Sequence, residues 1–299
     1  MVGFTSVQGE VFASDKACIP ALDRFFLFGD GVYEIIAAKN GQLLDFQSHL
    51  GRLRESCEIA HIEIPWPDEQ LRFEMESLMS LNPSPRQAIR LIVSRGLGQS
   101  PKVRGSESTR RYIFCQNVEE NIDPTNLAVK LKTLAKPSVR RGAHLKTNNY
   151  LDAISTLINP EFQNWDDVCW INREGEISES GFANIFLICR EGDLVEIATP
   201  PIEAGILPGI TRSRIIQLLN SAGIPVTERP ITSDELARFD EGFLTSSVRG
   251  LTPIQKINHH SLHTTRRNSV FREIFRLYKI WEESIAGGIS HEGGSSELN

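Results

Sequence analysis

The dipeptide Asn40-Gly41 stands between two apolar runs, and that pairing constrains the chain more than any other local feature. Both residues tolerate positive φ, so the chain is expected to reverse there in a tight β-hairpin. Strand-like alternation precedes the turn, and two helices are expected after it. Residues 48–60 place Leu50, Leu53, Cys57 and Ala60 on one stripe. Residues 68–81 form a second helical stretch that ends before Pro83 and Pro85, which cannot continue it. Strands are expected at 88–93 and 111–114. Residues 96–110, between those strands, are rich in Gly, Ser, Lys and Arg. They make a long polar loop of the kind that often carries function.

The same mixture recurs beyond a polar stretch at 117–126. A strand is expected at 127–134, a helix at 149–159, strands at 167–172 and 184–189, and helices at 211–222 and 270–284. Strands and helices mixed within each of two halves predict an α+β fold built from two α/β domains. The division expected is an N-terminal domain over 1–118, a linker over 119–126, a C-terminal domain over 127–286 and a flexible Gly/Ser-rich tail over 287–299. A chain of 299 residues is long enough for two cores.

The formal net charge is −6 and the nearest approach to a basic cluster is Arg266-Arg267, so a nucleic-acid surface is set aside. No apolar stretch reaches bilayer length, and Met1-Val2-Gly3-Phe4 is not the basic-then-apolar start of a secretory signal, so a cytoplasmic protein without membrane partners is expected. The five cysteines are scattered, odd in number and form no C-x-x-C pair. Buried reduced thiols are the expectation. His259, His260 and His263 do not make a metal set: Asn258 and Ser261 signal a turn, and no carboxylate or cysteine completes the ligands.

Three stretches carry candidate chemistry. In Leu145-Lys146-Thr147-Asn148-Asn149-Tyr150 a lysine sits between a strand-like segment and a helix start, where it can point into a cleft. Taken alone it signals little, since lysine is mostly exposed. In Gly205-Ile206-Leu207-Pro208-Gly209-Ile210-Thr211-Arg212 a glycine-punctuated turn runs straight into a helix. The unpaired N–H groups of Ile210 and Thr211, the helix dipole and the Thr211 hydroxyl suit a phosphate, although ordinary helix caps are far commoner than phosphate sites. In Glu179-Ser180-Gly181-Phe182-Ala183-Asn184 a carboxylate precedes a small-residue turn that leads into a strand. An amine, an anion cup and an acid are what pyridoxal 5′-phosphate requires for its aldehyde, its phosphate and its pyridine nitrogen.

Six motifs then stand in one order: 23–34, ending in Gly31-Val32-Tyr33-Glu34; His49-Leu50-Gly51-Arg52-Leu53; 146–150; 179–186; 205–212; and Leu244-Thr245-Ser246-Ser247. In that order they resemble the fold-type IV pyridoxal 5′-phosphate enzymes, the group of D-amino acid aminotransferases, branched-chain aminotransferases and aminodeoxychorismate lyases. The resemblance covers roughly 5–285. It implies the D-amino acid aminotransferase-like fold, with the cofactor between two α/β domains, usually in a homodimer that shares active-site loops. It implies that Lys146 binds the cofactor covalently and acts as catalytic base, and that Glu179 pairs with the pyridine nitrogen. Arg52, Ile210, Thr211, Ser246 and Ser247 match phosphate-binding positions, and Tyr150 lies near the place where related enzymes bring a tyrosine to the phenolic oxygen. The expected reaction moves an amino group between a small amino acid and a 2-oxo acid.

Val32-Tyr33-Glu34-Ile35 looks like the D-amino acid branch, which makes Tyr33 and Ile35 substrate-facing candidates. Lys102 and Arg104, two apart in the long loop, resemble the pair that clamps the substrate carboxylate in D-amino acid enzymes, although those enzymes carry Arg and His there. Arg249 is a second carboxylate anchor or a side chain that excludes bulky substrates. Similar Ser-x-Arg-Gly stretches accompany lyases. A D-amino acid aminotransferase is therefore the expectation, with a 4-amino-4-deoxychorismate lyase or a branched-chain L-amino acid aminotransferase as alternatives.

Overall fold

The computed structural model describes residues 3–102, 108–120, 123–135, 145–192 and 194–287. Among them, two sheets account for the strands. The first has six, in the order β2-β1-β6-β5-β3-β4: β1 Phe4–Val7, β2 Glu10–Ala13, β3 Gly31–Lys39, β4 Gln42–Leu43, β5 Arg86–Ser94 and β6 Arg110–Asn117. A short helix, α1 Arg24–Phe28, precedes β3, and α2 Phe46–Ile59 and α3 Asp68–Leu81 follow β4. The β3–β4 hairpin turns at Asn40-Gly41, with φ of 48° and 81°. Leu50, Leu53 and Cys57 of α2, and Leu71, Met75 and Leu78 of α3, are buried against Val32, Ile36, Ile89 and Leu91. Alternation sends Tyr33, Ile35, Arg86, Arg90 and Ile92 to the opposite face. Both faces of β3 and β5 are consequently covered along most of their length.

The second sheet runs β12-β11-β10-β13-β14-β7-β8-β9, with β15 beside β14. Its strands are β7 Val129–Ala135, β8 Asp167–Ile171, β9 Ile177–Ser180, β10 Asn184–Glu191, β11 Leu194–Thr199, β12 Val226–Glu228, β13 Glu241–Ser246, β14 Gly250–Ile257 and β15 His260–Ser261. Ser180 N–H donates to the Ala183 carbonyl at 2.8 Å, closing the turn that carries β9 back to β10 and curls the sheet. α4 Leu151–Ile158 packs beside β8, while α5 Ile210–Ser221 and α6 Val270–Ala286 cover one face through Ile215, Leu219, Phe271 and Tyr278. The fold is α+β, and no helix of the described residues is long and apolar enough to cross a membrane.

The expected helices and early strands are present within two residues at most ends, with differences that have local causes. The expected strand at 127–134 begins later, because Pro124–Leu127 forms a 3₁₀ turn capped by Asp123. The helix expected from 149 starts at Leu151. Strands β9 and β11–β15 were not among the expected ones. β13 and β14 are central and buried on both faces, so their sequences lack the alternation that marks a half-exposed strand. Within the 117–126 stretch, Glu120 is anchored rather than loose: it pairs with Lys39 at 3.1 Å and Lys279 at 2.8 Å. Cysteines 57, 115, 169 and 189 are buried, but Cys18 is exposed, because it lies on a surface loop before α1 and not in a core-facing element. Gly287 caps α6, and the rest of the expected tail lies outside the described residues.

Asp23 is the buried pin of the β2–α1–β3 connection. Its carboxylate caps Phe25 N–H at 2.9 Å and accepts from the hydroxyls of Ser94 and Tyr112. Three buried donors lose their partner together in Asp23→Ala. That variant should lose about 3 kcal/mol in urea unfolding, and Asp23→Asn clearly less, since the amide still accepts. Equal stability of Asp23→Ala and the wild type would show that the pin is dispensable.

Candidate active site

A cleft opens between the Tyr33-bearing face of the first sheet and the turn-bearing edge of the second. Lys146, Arg52, Tyr33, Tyr150, Glu179 and the residues 245–247 all line it. Lys146 lies on the segment leading into α4. Its carbonyl accepts Tyr33 N–H at 3.0 Å, which ties the segment to β3. Its Nζ stands 4.9 Å from the Tyr33 ring centre. Burial, then the Arg52 cation, push the amine down to about 8, with Glu34 and Glu179 pulling partly the other way. The amine is therefore largely neutral a little above pH 8, whereas an exposed lysine stays protonated.

Arg52 is aimed by partners of opposite origin. Its Nε and Nη2 each donate to the Glu34 carboxylate at 2.7 Å, and Nη1 donates to the Pro208 carbonyl at 2.7 Å. These bonds use three of the five N–H groups of a guanidinium, which leaves two for an anion. Glu34 is fully buried, on the α2-facing side of β3. Burial by itself would raise its carboxyl, but Arg52 and His49 outweigh that and hold it at about 2. His49 Nδ1 lies 2.8 Å from Glu34, and its Nε2 lies 3.5 Å from Ser247 Oγ, so the triad touches both the α5 turn and the β13–β14 turn.

Glu179 points into the cleft from β9 and accepts Leu207 N–H at 2.9 Å. Asn184 Nδ2 donates to the Leu207 carbonyl at 2.9 Å, so both backbone polar groups of Leu207 are held. A Cβ on Gly209 would collide with Asn184 Oδ1, which is why the turn needs glycine there. Gly209 is the N-cap residue of α5, and no side chain caps that helix. The first N–H groups of α5 thus face the cleft beside Thr211. Tyr150 meets Tyr33 hydroxyl to hydroxyl and stacks loosely on Phe182, 5.5 Å between ring centres. Burial, then Glu179, push the Tyr150 phenol up to about 12, so it stays protonated and able to donate.

Of the residues singled out from sequence, Lys146, Glu179, Arg52, Tyr150, Tyr33, Ile210, Thr211, Ser246 and Ser247 converge on this one cleft. Three do not. Ile35 packs beside Tyr33 against the Ile92–Tyr112 cluster without lining the cleft. Lys102 is exposed on its loop, its N–H bonded to Ser100 Oγ at 3.2 Å. Arg249 is exposed and lines a neighbouring depression with Arg86 and Tyr278. Arg104 lies outside the described residues. Sequence reasoning passed over Arg90, whose guanidinium lies 4.8 Å from the Tyr33 ring centre on the cleft-facing side of β5. Burial lowers its pKa, and no carboxylate among the described residues pairs with it. The available signal was a single charge inside the apolar run Ala88-Ile89-Arg90-Leu91-Ile92-Val93. Glu34 carried the same signal in β3.

A sequence model of the amino-transferase class IV family matches residues 31–257. The chain is 27% identical over 285 residues to a putative branched-chain-amino-acid aminotransferase of Methanocaldococcus jannaschii, covering 91% of this chain and 94% of that one. It is 25% identical over 259 residues to a D-alanine aminotransferase of Bacillus licheniformis, covering 85% and 88%. Its structure is similar to the branched-chain aminotransferase of Thermoproteus uzoniensis crystallised with norvaline, with a TM-score of 0.81, 25% identity and 97% of both chains covered. The chain belongs to the class IV aminotransferases. It is a pyridoxal 5′-phosphate-dependent transaminase of that class, acting on small amino and 2-oxo acids.

The cleft fits that cofactor on its own features. Among the described residues the hydroxyl of Thr245 is buried on the cleft wall without a partner, no side chain caps α5, and Arg52 has N–H groups to spare. The Glu34 triad should show in acid. A carboxyl whose folded value of about 2 lies below its ordinary 4.5 contributes its full stabilisation above pH 4.5 and loses it as pH falls toward 2. Glu34→Gln should therefore flatten the stability–pH curve over that interval and destabilise the protein at pH 7, by about 3–5 kcal/mol for a broken buried pair. An unchanged acid limb in the variant would mean that Glu34 is not held ionised.

Proposed function

We propose that Lys146 is the lysine that binds the cofactor covalently and shuttles the proton, and that the amino donor is a D-amino acid. The observation that carries the first part is the Lys146 amine, lowered to about 8 inside a cleft that also holds an acid and an anion cup. When bound, pyridoxal 5′-phosphate supplies an electron-withdrawing ring conjugated to the substrate Cα. Lys146 Nζ, half neutral at its own pKa, would take the substrate's Cα proton and give it back after the amino group has moved. Glu179 would accept from the protonated pyridine nitrogen and keep it charged. Tyr150 would donate to the phenolic oxygen. Arg52, the N–H groups of Ile210 and Thr211, and the hydroxyls of Ser246 and Ser247 would hold the phosphate.

The D-specific reading rests on Tyr33 in the cleft wall and on kinship with enzymes named D-alanine aminotransferases. Arg90 is the cation we assign to the substrate carboxylate, since it stands beside Tyr33 with no acid of its own. Lys102 is exposed on its loop. Arg24 donates to the Ser100 and Pro101 carbonyls and fixes the loop against α1. There α1 exposes Phe26, Leu27 and Phe28, and α4 exposes Leu151, Ile154 and Ile158. We propose that these apolar side chains pair two copies of the chain and bring Lys102 to the partner's cleft.

Lys146→Ala should abolish borohydride-trapped cofactor and turnover, and in the wild type covalent capture should rise with pH through about 8 and then level. Glu179→Gln should retain the cofactor while turnover falls by about 10²-fold, the usual loss for a charged stabiliser. Normal turnover of either variant removes that residue from its role. Comparing D-alanine and D-glutamate with L-leucine as donors, with 2-oxoglutarate as acceptor, tests the substrate. Faster L-leucine turnover overturns the D-specific reading and leaves the transaminase standing, while pyruvate release from aminodeoxychorismate without transamination favours lyase action. Arg90→Met should raise KM for the amino acid at least tenfold with cofactor affinity unchanged, as expected when a charge loses its partner.

A further inference from the structure

Behind the cleft, a buried ion pair joins the two halves of the chain at a point no catalytic role accounts for. Arg86 opens β5, four residues before Arg90 and on the same face of the strand. Its Nη1 donates to Glu282 of α6 at 2.8 Å, and the two side chains are 5% and 1% exposed. Its Nη2 donates to the Val248 carbonyl at 3.2 Å. Val248 is the middle residue of the turn between β13 and β14, where Ser246 pairs with Gly250. Thr245, Ser246 and Ser247, at the near side of that turn, line the cleft.

The turn is seated from both ends. Gly250 takes φ of 66°, and a Cβ there would stand 2.9 Å from the ring of Tyr278, so the α6 ring fills the space under the turn. Lys279 donates to Glu282 at 3.0 Å and to Glu120 at 2.8 Å, which holds the carboxylate facing Arg86. A buried ion pair adds little net stability over apolar residues of the same volume, so its retention points to geometry. The planar guanidinium fork links a fixed carboxylate to a fixed carbonyl, which a lysine ammonium, a single point charge on a flexible stem, does not reproduce.

We propose that Arg86, clamped by Glu282, is a positioning residue that fixes the Val248 carbonyl and thereby aims Ser246 and Ser247 at the cofactor phosphate. The proposal rests on the reading that this turn belongs to the phosphate cup. Affinity is measured on apoenzyme by equilibrium titration with pyridoxal 5′-phosphate and, separately, with pyridoxal, which lacks the phosphate. Arg86→Lys should weaken pyridoxal 5′-phosphate binding on the order of tenfold, the scale for losing one well-placed hydrogen bond to a charged group, and leave pyridoxal binding unchanged. Arg111→Lys, which alters the buried pair with Glu74 away from the cleft, should lower Tm without changing either affinity. If Arg86→Lys does not fold, Glu282→Gln serves in its place, with the same direction expected.

The Ser247→Ala variant separates the two layers of the argument. Unchanged pyridoxal 5′-phosphate affinity in Ser247→Ala removes the turn from the phosphate cup and the proposal with it. A weakened Ser247→Ala beside an unaffected Arg86→Lys keeps the cup and overturns the role of Arg86. In the double variant the two losses should be less than additive, because part of the effect of Arg86 runs through the Ser247 contact. Full additivity, or equal losses for pyridoxal and its phosphate, overturns positioning.

Discussion

The buried Glu34–Arg52 pair is the interaction on which the site depends. It sits where β3 meets α2, and the guanidinium reaches past the carboxylate to the Pro208 carbonyl on the second half of the chain. One side chain thus sets three things together: the packing of α2 on β3, the approach of the α5 turn, and the direction of the remaining N–H groups. Such a pair costs desolvation, which its own hydrogen bonds and the Pro208 carbonyl offset in part, and the two N–H groups left over are the ones aimed at the cleft. Here His49 uses the remaining reach of the carboxylate and passes it to Ser247.

The same cation also bears on the lysine. Burial, then Arg52, lower Lys146, and the two carboxylates keep it from falling further. An amine near 8 can both give and take a proton at neutral pH. Tyr150 moves in the opposite sense, up to about 12, because it shares the low-dielectric cleft with Glu179 and has no cation to offset that charge. Base and donor thus differ in protonation state because of where the charged neighbours stand, although the side chains share one cavity.

A second line of buried charge runs from β5 to α6. The Tyr33-bearing face of the first sheet carries Arg86 and Arg90 on β5, one tied to the β13–β14 turn and one lying over the Tyr33 ring. Lys39, Glu120, Lys279 and Glu282 continue the seam to α6. Polar contacts with two-sided geometry resist sliding better than apolar ones, so a seam of this kind suits a fold whose working parts come from two sheets.

By itself the sequence determined the local elements and the identity of the chemical groups. The Asn40-Gly41 turn, the stripes of α2 and α3, and the glycine turn before α5 depend on residues a few positions apart, and local sterics decide them wherever the chain goes. The ordered motifs placed Lys146, Glu179, Arg52 and the α5 turn in one family, and all of them line one cleft. Only the tertiary structure decided which charges meet. It turned Arg90 toward Tyr33, left Lys102 and Arg249 outside the cleft of their own chain, and bound Arg86 to a turn 162 residues away. Periodicity cannot tell a charged residue that enters a cleft from one that faces water. That distinction arises where the second sheet closes over the first, through contacts between residues far apart in the chain.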